Sequence, residues 1–175
     1  MVAGHLGIAL GARSARTTLP LWLIILAAQA PDWIDAAGCA AGARSVSSGL
    51  WSHSLPAVAV TGALFAASWS LSGGERRDSL LLALLVLSHL LADYLTGTKP
   101  TWPGGPVIGF ALYSHPLVDL TLEVVVVGVG WLVYRRSLPS AVRSSPLAVT
   151  ALIFMLLLQA ASDVGALVGH TVAKC

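Results

Sequence analysis

Residues 79–96 read Ser79-Leu80-Leu81-Leu82-Ala83-Leu84-Leu85-Val86-Leu87-Ser88-His89-Leu90-Leu91-Ala92-Asp93-Tyr94-Leu95-Thr96, an apolar run broken near its end by one histidine and one aspartate. At about 1.5 Å of rise per residue a helix over this stretch covers most of the roughly 30 Å of bilayer hydrocarbon. Three other stretches, 55–72, 116–134 and 146–168, have the same character. A shorter run over 19–30 meets Pro31, which limits its extension, so it is expected to continue as a turn or short helix through Asp32–Asp35. Residues 2–12 are also apolar and are expected to fold back beside that run, turning at 13–18. The fold class is therefore all-α: a polytopic helical membrane protein of about five membrane segments with an N-terminal helical hairpin, one integral-membrane domain over 1–175.

Composition agrees. The 175 residues are 56% hydrophobic and 10% charged, with a mean hydropathy of +0.81. Soluble domains are about 25% charged, which excludes most soluble enzymes and any disordered module. Ten Lys+Arg against eight Asp+Glu give only +2, too little for a nucleic-acid partner held by a basic patch. Cys39 and Cys175 cannot form a disulfide framework; they read as two small apolar residues, able to pair only if both face an oxidising compartment. Arg13 and Arg16 followed by 19–28 and Ala28-Gln29-Ala30 imitate a secretory signal, but Pro31 directly after the cut and the apolar stretch before the arginines argue against cleavage.

Basic residues orient the chain. With Arg13 and Arg16 inside, Arg76, Arg77, Arg135, Arg136 and Arg143 are also inside, seven of the ten; Arg44, Lys99 and Lys174 remain outside. Glu75 and Asp78 join the inside arginines and read as a solvated charge cluster. The other six acidic residues, Asp32, Asp35, Asp93, Asp119, Glu123 and Asp163, fall at or just below the outer boundary. His53, His89, His115 and His170 fall there too, and His5 joins them if the hairpin forms. The loop over 98–109 is an outside loop able to cover them.

Buried carboxylates without a neighbouring cation repel one another, and ionisable groups within a membrane cost at least about 2.5 kcal/mol each on insertion scales. A bound cation is the simplest remedy. Ser88-His89-x3-Asp93 and Ser114-His115-x3-Asp119 repeat one spacing, and residues four apart on a helix share a face. Asp32-x2-Asp35 adds two carboxylates, and His53 stands at the mouth of the next span. The expected metal ligands are His5, Asp32, Asp35, His53, His89, Asp93, His115 and Asp119, for one or two divalent ions. Mixed imidazole and carboxylate donors suit zinc, with manganese or iron as alternatives. Glu123 and Asp35 are the candidate catalytic acid–base groups. Asp163 reads as a neighbour of the site and His170 as a solvated tail residue. Gly7-x3-Gly11 and Gly165-x3-Gly169 match small-residue packing motifs, a weak pointer to oligomers.

Gly4-His5-Leu6-Gly7, Pro31-Asp32-x2-Asp35, Ser52-His53-Ser54 and Ser88-His89-x3-Asp93-x2-Thr96 occur in an order that resembles the YdjM-like family of membrane-bound metal-dependent hydrolases, LexA-regulated inner-membrane proteins. The likeness covers roughly residues 1–120. Where the family carries Asp-x-Asp after the proline, this chain has its carboxylates three apart. The resemblance implies a hydrolase in the inner membrane. A divalent ion at such a site lowers the pKa of water towards about 7 for attack on an ester or phosphoester. A site roughly 10 Å deep favours a phospholipid or another amphiphile as substrate. The alternatives are a divalent-metal or proton transporter or channel, and a non-catalytic protein whose metal staples its helices together.

Overall fold

The computed structural model describes residues 3–15, 17–42 and 49–167, with the side chains of 147, 148 and 165–167 left out. Val2, Arg16, Arg44, Gly169, His170, Lys174 and Cys175 lie outside the described residues.

The chain is mostly helical: α1 (Gly4–Arg13), α2 (Leu21–Ala28), α3 (Ala30–Ala40), α4 (Leu55–Leu71), α5 (Arg76–Thr96), α6 (Pro116–Ser137), α7 (Ser140–Arg143) and α8 (Pro146–Leu167). Two of them, α5 and α6, are long and apolar enough to cross a membrane; α4 and the 149–164 part of α8 are shorter apolar helices.

Local chemistry sets the boundaries. Proline stands in the first turn of α3, α4 and α6, where its missing N–H costs nothing. Ser54 caps α4 by accepting from the Ala57 N–H. Arg135 and Arg136 close α6 at its negative dipole end, and the Arg135 guanidinium lies 5.0 Å from the Trp131 ring. Pro31 does limit the run begun at Leu21: α2 stops, Gln29 leaves helical geometry, and α3 restarts and runs on to Ala40, further than the short turn expected. Cys39 on α3 is disulfide-bonded, so it is not the free apolar residue that it reads as in sequence.

Helix α1 lies in the middle. One apolar cluster joins Ala9, Ile24, Val58, Leu82, Val86 and Leu90 from α1, α2, α4 and α5 with Leu19 from the segment before α2; a second joins Leu10, Val127, Trp131 and Met155 from α1, α6 and α8. Against α6 the two backbones touch: a Cβ on Gly130 would collide with the Gly7 carbonyl. The Gly7-x3-Gly11 face is thus used within the chain, both glycines packing on Gly130.

The arginine end is fixed by Asp78. Its carboxylate accepts from the Thr17 hydroxyl at 2.5 Å, the Thr18 hydroxyl at 2.5 Å and the Thr18 N–H at 3.0 Å, and the Arg77 guanidinium donates to the Ala15 carbonyl at 2.7 Å. Glu75 is exposed as expected. Asp78 is 1% exposed, which corrects its reading as a solvated charge: hydroxyl donors from the segment before α2 replace water around it.

At the opposite end the loop between α5 and α6 forms a small β-hairpin, β1 (Lys99–Pro100) pairing antiparallel with β2 (Val107–Ile108). The Leu55 N–H donates to the Thr101 carbonyl at 2.8 Å and the Phe110 N–H to the Tyr94 carbonyl at 2.8 Å, pinning the hairpin over the ends of α4 and α5. Gly109 closes it at φ +142, where a Cβ would strike the Gly97 carbonyl.

Candidate metal centre

Five separate segments deliver polar side chains under this hairpin: His5 from α1, Asp32 and Asp35 from α3, His53 from the turn before α4, His89 and Asp93 from the last two turns of α5, and Lys99 from β1. His5, His53, His89 and Asp93 are buried, whereas the Asp32 side chain is 51% exposed and forms the open side.

The protonation pattern of the two central imidazoles follows from their partners. His89 Nδ1 lies 2.8 Å from the Ala28 carbonyl, which can only accept, so Nδ1 carries the hydrogen and Nε2 presents a lone pair. Ser52 gives its one hydroxyl hydrogen to Asp35, so at 2.7 Å from His53 Nδ1 it accepts; Asp35 Oδ2 is a further acceptor 3.3 Å from the same nitrogen. His53 therefore also points an Nε2 lone pair inward. These outer partners are the carbonyl and carboxylate that orient imidazole ligands in metal sites.

The inward atoms are all acceptors. His53 Nε2 and His89 Nε2 are 3.2 Å apart; Asp32 Oδ1 lies 3.3 Å from the first and 3.6 Å from the second; Asp93 Oδ2 lies 3.3 and 3.7 Å from them. Lone pairs held this close repel unless something positive lies between them. Ligands about 2.0–2.2 Å from one tetrahedral ion are separated by about 3.3–3.6 Å, so the spacing fits a shared cation. Electrostatics agree at the mouth. Burial pushes the Asp32 carboxyl up, but positive charge on the facing His53 and His89 rings, a proton at Nε2 where no cation is held, outweighs it and keeps the group well below the usual carboxylate range. Burial lowers the His53 imidazole, yet hydrogen bonds with Asp32 and Asp35 raise it above its ordinary value, so the two carboxylates favour positive charge at this ring, either a proton on Nε2 or a cation in its place.

His5 stacks on His89 with centroids 3.6 Å apart and planes 16° from parallel, and its Nε2 is 3.2 Å from Asp93 Oδ1. His5, His89 and Asp93 make a second group able to hold an ion beside that of Asp32, His53 and His89. Because His89 Nδ1 is committed to Ala28, the two groups share one imidazole nitrogen.

Three expected site residues lie elsewhere. His115 is exposed and outside both groups. Asp119 is 1% exposed, and among the described residues neither of its oxygens has a hydrogen-bond partner; it lies within electrostatic reach of Asp163. Glu123 is fully buried and accepts from the Gly4 N–H at 2.7 Å, while Gln159 accepts from the Ala3 N–H at 2.9 Å and donates to Asp163 at 2.9 Å. These two side chains satisfy amides at the start of α1, a capping role supplied from α6 and α8. Asp35, expected as both ligand and catalyst, holds His53 and Ser52 instead of facing the centre.

Sequence reading gave no role at the site to Ser52, known there only as part of Ser52-His53-Ser54, or to Lys99. The Lys99 ammonium lies 3.0 Å from Asp93 Oδ2, so the carboxylates are not without a cation. Its only sequence signal is a lone basic residue three positions beyond the end of α5.

A family model described as YdjM inner membrane protein matches residues 1–169. The chain belongs to that family. Comparison with curated proteins and with solved structures gives no significant match. Membership and the apolar helices together make this a protein of the inner membrane.

Proposed function

We propose that this member of the YdjM inner membrane family is a metal-dependent hydrolase acting on a phosphoester or ester of a lipid or other amphiphile. The observation that carries the proposal is that His53 Nε2 and His89 Nε2, 3.2 Å apart, each face both Asp32 Oδ1 and Asp93 Oδ2 at 3.3–3.7 Å. Zinc suits these nitrogen and oxygen donors best, with manganese or iron next. A divalent ion held there supplies Lewis acidity and lowers the pKa of water towards neutrality.

The chain's own groups do the rest. Ala28 and Asp35 fix the two imidazoles, His5 fixes Asp93, and the half-exposed Asp32 borders the opening through which substrate and water arrive. Proton transfer belongs to the half-exposed Asp32 at the mouth, since Asp35 is turned to Ser52 and His53 and Glu123 is sealed and engaged by Gly4. Exposed Trp33, Trp51, Trp102 and Phe110 flank this end, as side chains suited to the lipid–water boundary do.

In this reading α4, α5, α6 and α8 cross the bilayer and α1 with α2 makes the fifth membrane segment. Arg13, Arg76, Arg77, Arg135, Arg136 and Arg143 all belong to the end opposite the hairpin, so the positive-inside rule puts the metal centre on the extracytoplasmic side. The disulfide at Cys39, on the same helix as Asp32 and Asp35, suits an oxidising compartment.

The test is turnover of a panel of phospholipids, phosphatidate and short-chain esters by purified protein in detergent. Hydrolysis should stop on chelation, return with zinc or manganese, and fall at least about 100-fold in Asp32→Ala. Metal-loaded protein that turns over no member of the panel would overturn the reading.

A further inference from the structure

We propose that Lys99 is the anion-binding residue of this centre, the group that takes hold of the phosphate of an incoming phosphoester. The inference rests on the metal-hydrolase reading above and adds to it a charge class of substrate and the residue that recognises it.

The first ground is charge. Asp32, Asp35 and Asp93 bring three negative charges to the end of α5, and a divalent ion cancels only two of them. An anionic substrate would meet a site that still repels it. Lys99 removes that last charge, and among the described residues it is the one Lys or Arg at this end of the molecule; Arg13, Arg76, Arg77, Arg135, Arg136 and Arg143 are all at the other.

The second ground is geometry. The Lys99 ammonium is 3.0 Å from Asp93 Oδ2, the same oxygen that lies 3.3 Å from His53 Nε2 and 3.7 Å from His89 Nε2. It therefore stands beside the acceptor cluster rather than out in the loop. An ammonium has three donors, and one contact with Asp93 leaves two to be directed elsewhere. The side chain is 25% exposed, so the ammonium is not sealed in as His53, His89 and Asp93 are.

The third ground is mounting. Lys99 is held on β1 opposite Ile108, and the neighbouring turn is closed by Thr101, whose N–H and hydroxyl both donate to the Pro106 carbonyl at 3.0 and 2.8 Å. The Thr101 carbonyl in turn receives the Leu55 N–H. A cation fixed in this way to the start of α4 loses little freedom when an anion binds.

The shared ligand chemistry is a tetrahedral phosphate anion, whether carried by a lipid headgroup or free in solution. The experiment compares wild type, Lys99→Met and Lys99→Arg, each loaded with manganese in detergent, by titration with inorganic phosphate and with short-chain phosphatidate. Lys99→Met should bind manganese within about threefold of wild type and bind one or both anions at least about tenfold more weakly, with Lys99→Arg close to wild type. A loss confined to phosphatidate makes the lipid headgroup the ligand, and a loss confined to phosphate makes it the free anion. Unchanged affinity for both anions in Lys99→Met overturns the proposal. So does a loss of manganese as large as the loss of anion, which would reduce Lys99 to a neutraliser of Asp93, and so does a metal-loaded wild type that binds neither anion. A wild type that binds no manganese or zinc overturns the metal reading beneath it.

Discussion

The sequence contains the same phrase twice, His89-x3-Asp93 and His115-x3-Asp119, and the two copies meet different fates. The first lies wholly inside α5, so both side chains leave one helical face and His89 Nε2 comes within 3.7 Å of Asp93 Oδ2. The second straddles a helix start. His115 precedes Pro116, whose ring disfavours helical geometry for the residue before it, and at φ −125, ψ 74 it sits outside α6. Only Asp119 then obeys the helical register. It turns towards α8 and Asp163, while His115 faces out. A spacing of four predicts a shared face only where every residue between is helical, and a proline within the motif is the warning.

Substitutions at the two copies sharpen this contrast. The largest effect belongs to His89→Ala, which removes the buried imidazole common to both candidate ligand groups and should weaken zinc affinity more than about 100-fold in competition with a chelating dye; a loss under tenfold would remove His89 from the proposed centre. Next comes Asp35→Asn. It leaves the inward atoms in place but unsettles His53 through Nδ1, and it should weaken metal binding about 10–100-fold, as loss of an outer carboxylate partner does. An unchanged affinity would mean that Ser52 alone orients the ring.

Glu123→Ala probes the neighbouring polar network. It leaves the Gly4 N–H without its 2.7 Å acceptor and should lower stability by about 1–3 kcal/mol, read as a fall in Tm, with metal affinity kept. Loss of metal with unchanged Tm would return Glu123 to the centre. The smallest effects belong to the second motif: His115→Ala and Asp119→Asn should each keep zinc affinity within about twofold.

Much of this was legible in the residues. The apolar runs located α4, α5, α6 and α8 to within a few positions, and Pro31 marked the break between α2 and α3. His5, Asp32, His53, His89 and Asp93 gather where their sequence contexts suggest, because each sits at the same end of its own segment. What stayed hidden depends on chains meeting across space. Asp78 reads as solvated beside Arg76 and Arg77 until Thr17 and Thr18 cover it. Glu123 reads as a deep acid until the start of α1 presents an amide that needs an acceptor. Lys99 reads as a loop charge until the β-hairpin folds it onto Asp93. In each case the partner lies on a different element, beyond the reach of any local periodicity.

The most direct measurement is the metal content of three proteins, incubated with zinc, passed through gel filtration and analysed by elemental mass spectrometry: wild type, His89→Ala/Asp93→Asn and His115→Ala/Asp119→Asn. The account predicts about one bound ion per chain in wild type and in the second double variant, and none in the first. A metal-free wild type, or a second double variant stripped of its ion while the first retains it, would contradict it.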